Sequence, residues 1–191
     1  MLFGGSQTAL ENCLVRVARR LNEENITWAL GASMLLYYKG LVPRANDIDL
    51  VIAFEQLELA DKVLHGLGQK QAPNQHKDYA TRYFAEFVID NVDLDVMAGF
   101  RIITGSHVVE YVPDPGTFET LTLEGTSIYL CPLEDWYVLY LLMPHRQERV
   151  DTIREYFLKS GANETYLKAW TDRDIPKAVS TEIRKLLVEI S

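Results

Sequence analysis

The sequence predicts an α+β protein: a small mixed β-sheet with flanking helices, followed by a C-terminal helical part. Three observations predict it. An amphipathic helix opens the chain, with Leu10, Cys13, Leu14, Val17, Ala18 and Leu21 recurring on one face. Short β-prone runs separated by turn residues occupy the middle. Beyond Pro132 the pattern becomes wholly helical, which sets an expected domain boundary there: 1–131 as an α/β domain and 132–191 as a helical region.

The elements follow in order. Thr8 and Glu11 have the spacing of a capping box for the first helix, and Asn25 ends it. Ile26 to Leu30 is apolar and reads as a buried strand. Gly31-Ala32-Ser33 breaks that strand and opens a short helix to Lys39. Pro43 to Asn46 is a loop. Asp47 to Phe54 alternates acid and apolar residues and then turns wholly apolar, as a core strand does. A helix is expected from Gln56 to Leu67, and the polar stretch Gly68 to Asp78, with Pro73 and Asn74, reads as a mobile loop. Tyr79–Ile89 and Val92–Ala98 are strand-like runs joined by Asp90-Asn91, a tight hairpin turn. Signals from Gly99 to Gly116 are mixed. Phe118 to Cys131 reads as a second hairpin turning at Glu124-Gly125. Four helices follow: Leu133–Met143, Gln147–Leu158, Glu164–Trp170 and Ala178–Ile190, separated by Pro144, Gly161 and Pro176.

Composition narrows the function. The chain has 191 residues, 48% of them hydrophobic, enough for one good-sized core or a domain with a smaller companion. Its formal net charge of -8 argues against nucleic acid, since phosphate contacts need a basic face. Cys13 and Cys131 are the only cysteines, too few for a disulfide framework or a thiolate zinc site. Met1-Leu-Phe-Gly-Gly-Ser6 has no basic region leading into a long apolar run, and no stretch is long enough to span a membrane, so a soluble cytoplasmic protein is expected.

The acids carry the chemistry. With 27 acidic residues, about four acid-x-acid pairs arise by chance, so one pair means little. Three Asp-x-Asp pairs occur. Asp172/Asp174 sits beside Pro176 and reads as a solvated turn. Asp47/Asp49 and Asp93/Asp95 lie in strand-like runs, where alternate side chains share a face about 7 Å apart. Upstream, Gly31 permits close backbone approach to a ligand, and Ser33 with the following helix start offers donors to phosphate oxygens. A nucleoside triphosphate needs both parts: donors for its phosphates and carboxylates for the Mg²⁺ or Mn²⁺ ions that neutralise them.

These residues resemble the motif of the polymerase-β-like nucleotidyltransferases, in particular small bacterial members such as the antibiotic nucleotidyltransferases and the minimal nucleotidyltransferases of toxin–antitoxin pairs. That motif is a glycine turn opening a helix, a strand with Asp-x-Asp, and a third Asp on a neighbouring strand. The matching residues are Gly31, Ala32 and Ser33, then Asp47 and Asp49, then Asp95, with Asp93 on the same face as the alternative. The resemblance covers about residues 26 to 100 and continues more weakly through Cys131-Pro-Leu-Glu-Asp-Trp136. Ala32 departs from a glycine pair, Arg44 lies close before the acids, and Tyr140 stands where relatives often carry lysine.

The resemblance implies transfer of a nucleoside monophosphate from NTP to a hydroxyl of a small molecule or protein. Asp47, Asp49 and Asp95 would be catalytic and metal-binding, with Asp93 as a further candidate ligand. Gly31, Ala32, Ser33 and Arg44 would hold the nucleotide. A homodimer or a protein partner is compatible with it, and the alternative reading is a weakly active or inactive interaction module on the same fold. Lys77, Arg82 and Arg101 are secondary phosphate candidates. His65, His76, His107 and His145 show no metal-ligand spacing, and Trp28, Trp136, Tyr137 and Tyr140 read as core.

Overall fold

The computed structural model describes residues 6–72 and 81–191. Lys77, His76, Pro73, Asn74, the start of the Tyr79–Ile89 run and the first five residues lie outside the described residues.

Helix α1 (Gln7–Glu23) forms on the face expected, with Leu10, Cys13, Leu14, Val17, Ala18 and Leu21 buried. Its cap differs from the expected Thr8/Glu11 box. Ser6 is the N-cap and its side chain accepts from the Ala9 N–H, so Thr8 lies inside the first turn. At the other end Asn25 takes a positive φ of 55° and its N–H returns to the Asn22 carbonyl.

The chain then forms β1 (Trp28–Leu30), α2 (Ala32–Tyr38), β2 (Ile48–Ile52), a 3₁₀ turn, and α3 (Leu57–His65). Next come β3 (Gln69–Lys70), β4 (Tyr83–Ile89), β5 (Val92–Ala98), the hairpin β6 (Phe100–Thr104) and β7 (His107–Tyr111), β8 (Glu119–Leu123) and β9 (Thr126–Leu130). Helices α4 (Leu133–Leu142), α5 (Gln147–Ser160), α6 (Glu164–Thr171) and α7 (Lys177–Ile190) complete it. Two pieces depart from expectation. Gln69–Lys70 pairs with Val88 and Phe87 as an edge strand where a loop is expected, and the mixed stretch after Gly99 is a hairpin.

Seven strands make one mixed sheet in the order β3-β4-β5-β2-β1-β9-β8. Strand β2 runs antiparallel to β1 and parallel to β5, and β1 runs parallel to β9. Local turns set the hairpins: Asp90 and Asn91 both have positive φ, as do Glu124 and Gly125, which matches the right-handed twist of the paired strands.

The chain divides into two compact units. The first holds the described residues up to 72, Thr81–Phe100 and Tyr111–Cys131; its core packs α1 and α3 on the sheet, with Trp28, Ala29 and Leu30 fully buried at its centre. Asn22 ties that core together, accepting from Trp28 Nε1 at 2.8 Å and donating to the Ser127 carbonyl at 2.9 Å. The second holds Arg101–Glu110 and Pro132–Ser191. There α4 is apolar nearly all round and buries Trp136, Tyr137 and Tyr140. Asp135 accepts from Trp170 Nε1 at 2.7 Å, and Asn163 caps α6 through the Thr165 and Tyr166 N–H groups. Among the described residues no helix is long and apolar enough to cross a membrane.

Candidate active site

Alternation along β5 decides which side chains reach the open face of the sheet. Val92, Leu94 and Val96 are buried, while Asp93 is exposed and Asp95 half-buried. Strand β2 does the same, with Ile48 and Leu50 buried and Asp49 between them half-buried. The parallel register sets Asp49 directly beside Asp95. Asp47 lies one residue before β2, outside the ladder, so it is free of the strict strand spacing. One carboxylate oxygen from each of Asp47, Asp49 and Asp95 comes within 4.8 Å of the others. Asp93 lies two residues before Asp95 in β5 and outside that group. Of the two alternatives for a third carboxylate, the geometry brings Asp95 into the cluster.

Three carboxylates this close repel one another. The Asp95 carboxyl is pushed up to about 7, first by burial, then by the charges of Asp47, Glu86 and Asp93. Glu86 is a residue that sequence reading overlooked. It pairs across the strand with Asp95 on the same face. The signal was present: a two-residue turn at Asp90-Asn91 fixes the register that sets Glu86 opposite Asp95.

The turn after β1 adjoins these acids. The Gly31 N–H donates to the Asp49 carbonyl at 3.0 Å, extending the β1–β2 ladder to the turn itself. Ala32 has a φ of 39°, a left-handed backbone that glycine would adopt more readily. Ser33 is buried at 8% exposure, and its hydroxyl donates to Asp47 Oδ1 at 2.8 Å. Arg44 is exposed, with no ion-pair partner among the described residues.

The secondary candidates go elsewhere. Arg101 pairs with Glu110 at 2.7 Å across the β6–β7 hairpin. Arg82 stacks over the Phe54 ring at 5.0 Å. His65 lies 3.2 Å from Asp61, and His107 is 3.5 Å from Asp174, whose side chain is almost fully solvated.

The donor set suits a hard divalent cation. All three groups are carboxylates, and their mutual repulsion is relieved by a positive charge among them.

No protein-family model matches the chain, and no curated protein matches it. Solved structures do. The chain resembles TM1012 of Thermotoga maritima, a candidate nucleotidyltransferase, with a TM-score of 0.61 at 19% identity over 82% of this chain and 98% of that one. It resembles the ANT(2″)-Ia structure in complex with adenylyl-2″-tobramycin, with a TM-score of 0.53 at 13% identity over 92% and 97% of the two chains. It also resembles the lincomycin-bound lincosamide adenylyltransferase LnuA, with a TM-score of 0.50 at 12% identity over 80% and 98%. The chain therefore has the α+β fold of these nucleotidyltransferases.

Proposed function

We propose that this protein is a metal-dependent nucleotidyltransferase that moves a nucleoside monophosphate from NTP to a hydroxyl group of a small molecule. The single observation that carries the reading is the convergence of Asp47, Asp49 and Asp95 within 4.8 Å on a fold shared with nucleotidyltransferases. A small-molecule acceptor is favoured over a protein because two of the structural relatives hold antibiotics or their adenylylated forms. By the same likeness ATP is the first donor to test, and an NTP donor agrees with the cytoplasmic location expected from the sequence.

Asp47 and Asp49 would hold Mg²⁺ or Mn²⁺, with Asp95 completing the set. A divalent cation there supplies the positive charge that a triphosphate and a departing pyrophosphate require. The Gly31-Ala32 turn, the start of α2 and the Arg44 guanidinium would receive the phosphates. Asp95, beside Asp49 in the ladder, is suited by its position to take the proton from the acceptor hydroxyl as its oxygen attacks the α-phosphorus. The bond from that phosphorus to the pyrophosphate oxygen breaks in line, and most of the rate comes from positioning and charge stabilisation.

Calorimetric titration of each of the four NTPs with Mg²⁺ tests the reading on wild type and on the double variant Asp47→Ala/Asp49→Ala. The expected result is metal-dependent binding of at least one NTP that the double variant loses. Wild type that binds none of them, or a double variant that binds as well, overturns it.

A further inference from the structure

We propose that Ser33 is a positioning residue for Asp47, holding that carboxylate in its metal-binding orientation, and is not itself a phosphate ligand. The proposal rests on the metal-site reading above and deepens it.

The argument begins with a difference between the two acids of the pair. Asp49 lies inside β2, fixed by the β5 ladder on one side and by its own carbonyl accepting from Gly31 on the other. Asp47 precedes the strand and has no such ladder. Its side chain needs another restraint, and Ser33 provides one. The Ser33 hydroxyl lies 2.8 Å from Asp47 Oδ1 and 3.2 Å from the Asp47 carbonyl oxygen, and it accepts from the Asn46 N–H at 3.4 Å. A hydroxyl has one proton to give, and the shorter contact is to the charged oxygen. A carboxylate has about four acceptor sites, so this bond leaves Asp47 ample capacity for a cation.

The same count bears on phosphate. Phosphate oxygens of a metal-bound triphosphate are acceptors, so they need a donor. While the one Ser33 proton rests on Asp47, it is not available to them. At 8% exposure Ser33 also has little surface open to a ligand. Its place in the chain, directly after Gly31-Ala32, links the turn that would face the phosphates to the first carboxylate of the metal set.

Outer partners that orient a metal ligand typically contribute about 10–100-fold in metal affinity. The test is Mn²⁺ titration of the full chain without nucleotide, followed by calorimetry, on wild type, Ser33→Ala and Ser33→Thr. Expected is a Kd for Mn²⁺ raised at least about tenfold in Ser33→Ala and largely restored in Ser33→Thr, which keeps the hydroxyl. A second titration with Mg-tripolyphosphate, which carries phosphates without a base, is expected to give equal affinities for wild type and Ser33→Ala at saturating metal. Unchanged Mn²⁺ affinity in Ser33→Ala, with weakened tripolyphosphate binding, overturns the proposal and makes Ser33 a phosphate ligand. Wild type that binds no Mn²⁺ overturns the metal-site reading and this proposal together. Should Ser33→Ala fail to fold by circular dichroism, the near-isosteric Ser33→Cys, a much weaker donor, is read in its place by the same criteria.

Discussion

Asp49 and Asp95 are register partners on adjacent parallel strands, so two carboxylates stand side by side on one face of the sheet. Adjacent strands are about 4.8 Å apart, which leaves like charges no room to separate without leaving the ladder. The arrangement is unfavourable for the empty protein and favourable once a cation lies between the acids.

The first prediction concerns pH. The Asp95 carboxyl is raised to about 7, against about 3.9 in an unfolded chain. The folded state therefore holds this proton more tightly than the unfolded state. The stability that Asp95 contributes falls as pH rises from about 4 to about 7 and is flat beyond. In EDTA, Asp95→Asn removes this dependence, so its melting temperature gains on wild type across that window. A gain on the order of 1–3 kcal/mol corresponds to several degrees at this chain length. Differential scanning calorimetry at pH 5 and pH 8 checks it, and equal slopes for the two proteins would count against the burial and repulsion argued for Asp95.

Asp49→Ala tests the ion site from the other side. Transfer activity on any acceptor found is expected to fall at least about a thousandfold, the effect of losing several kcal/mol of charge stabilisation. The fold should survive, because Asp49 is half-buried between apolar neighbours and its removal relieves repulsion. The checks are a steady-state assay for pyrophosphate release and a thermal melt.

Ala32 is the third target. It occupies the left-handed region at φ 39°, where a side chain costs on the order of 1–3 kcal/mol. Ala32→Gly relieves that cost and gives back part of it through a more flexible unfolded chain. A net gain of about 1 kcal/mol, or about 2–4 °C in Tm, is expected from chemical and thermal denaturation. Ala32→Val should lose stability, since a β-branched residue tolerates this backbone poorly.

The cysteines provide a fourth. Cys13 is buried, donates its thiol to the Ile89 carbonyl at 3.4 Å, and is pushed up to about 12, chiefly by burial. Cys131 is buried as well. Thiolate is the reactive form, so the native chain at pH 8 should react with Ellman's reagent far more slowly than the chain in guanidinium. Rapid release of two equivalents from the folded protein would contradict the burial of both thiols.

The sequence by itself determined what local rules govern. The face of α1 follows from apolar residues three and four apart. The turns at Asp90-Asn91 and Glu124-Gly125 follow from Asp90, Asn91 and Gly125, which tolerate positive φ. Alternation determined that Asp93 and Asp95 share one face of β5, and the two-residue turn beside them already contained the pairing of Glu86 with Asp95. Only the tertiary structure decided the rest. The parallel register of β2 on β5 joins segments far apart in the chain, and no turn residue encodes it; that register made Asp95 rather than Asp93 the neighbour of Asp49. The edge pairing of Gln69–Lys70 depended on having β4 beside it. The bond from Ser33 to Asp47 depended on α2 and the start of β2 meeting around the turn. Spacing along the chain names the residues that can form a site, whereas a carboxylate's partners and its proton affinity depend on burial and on charges brought close by folding, quantities that exist only in three dimensions.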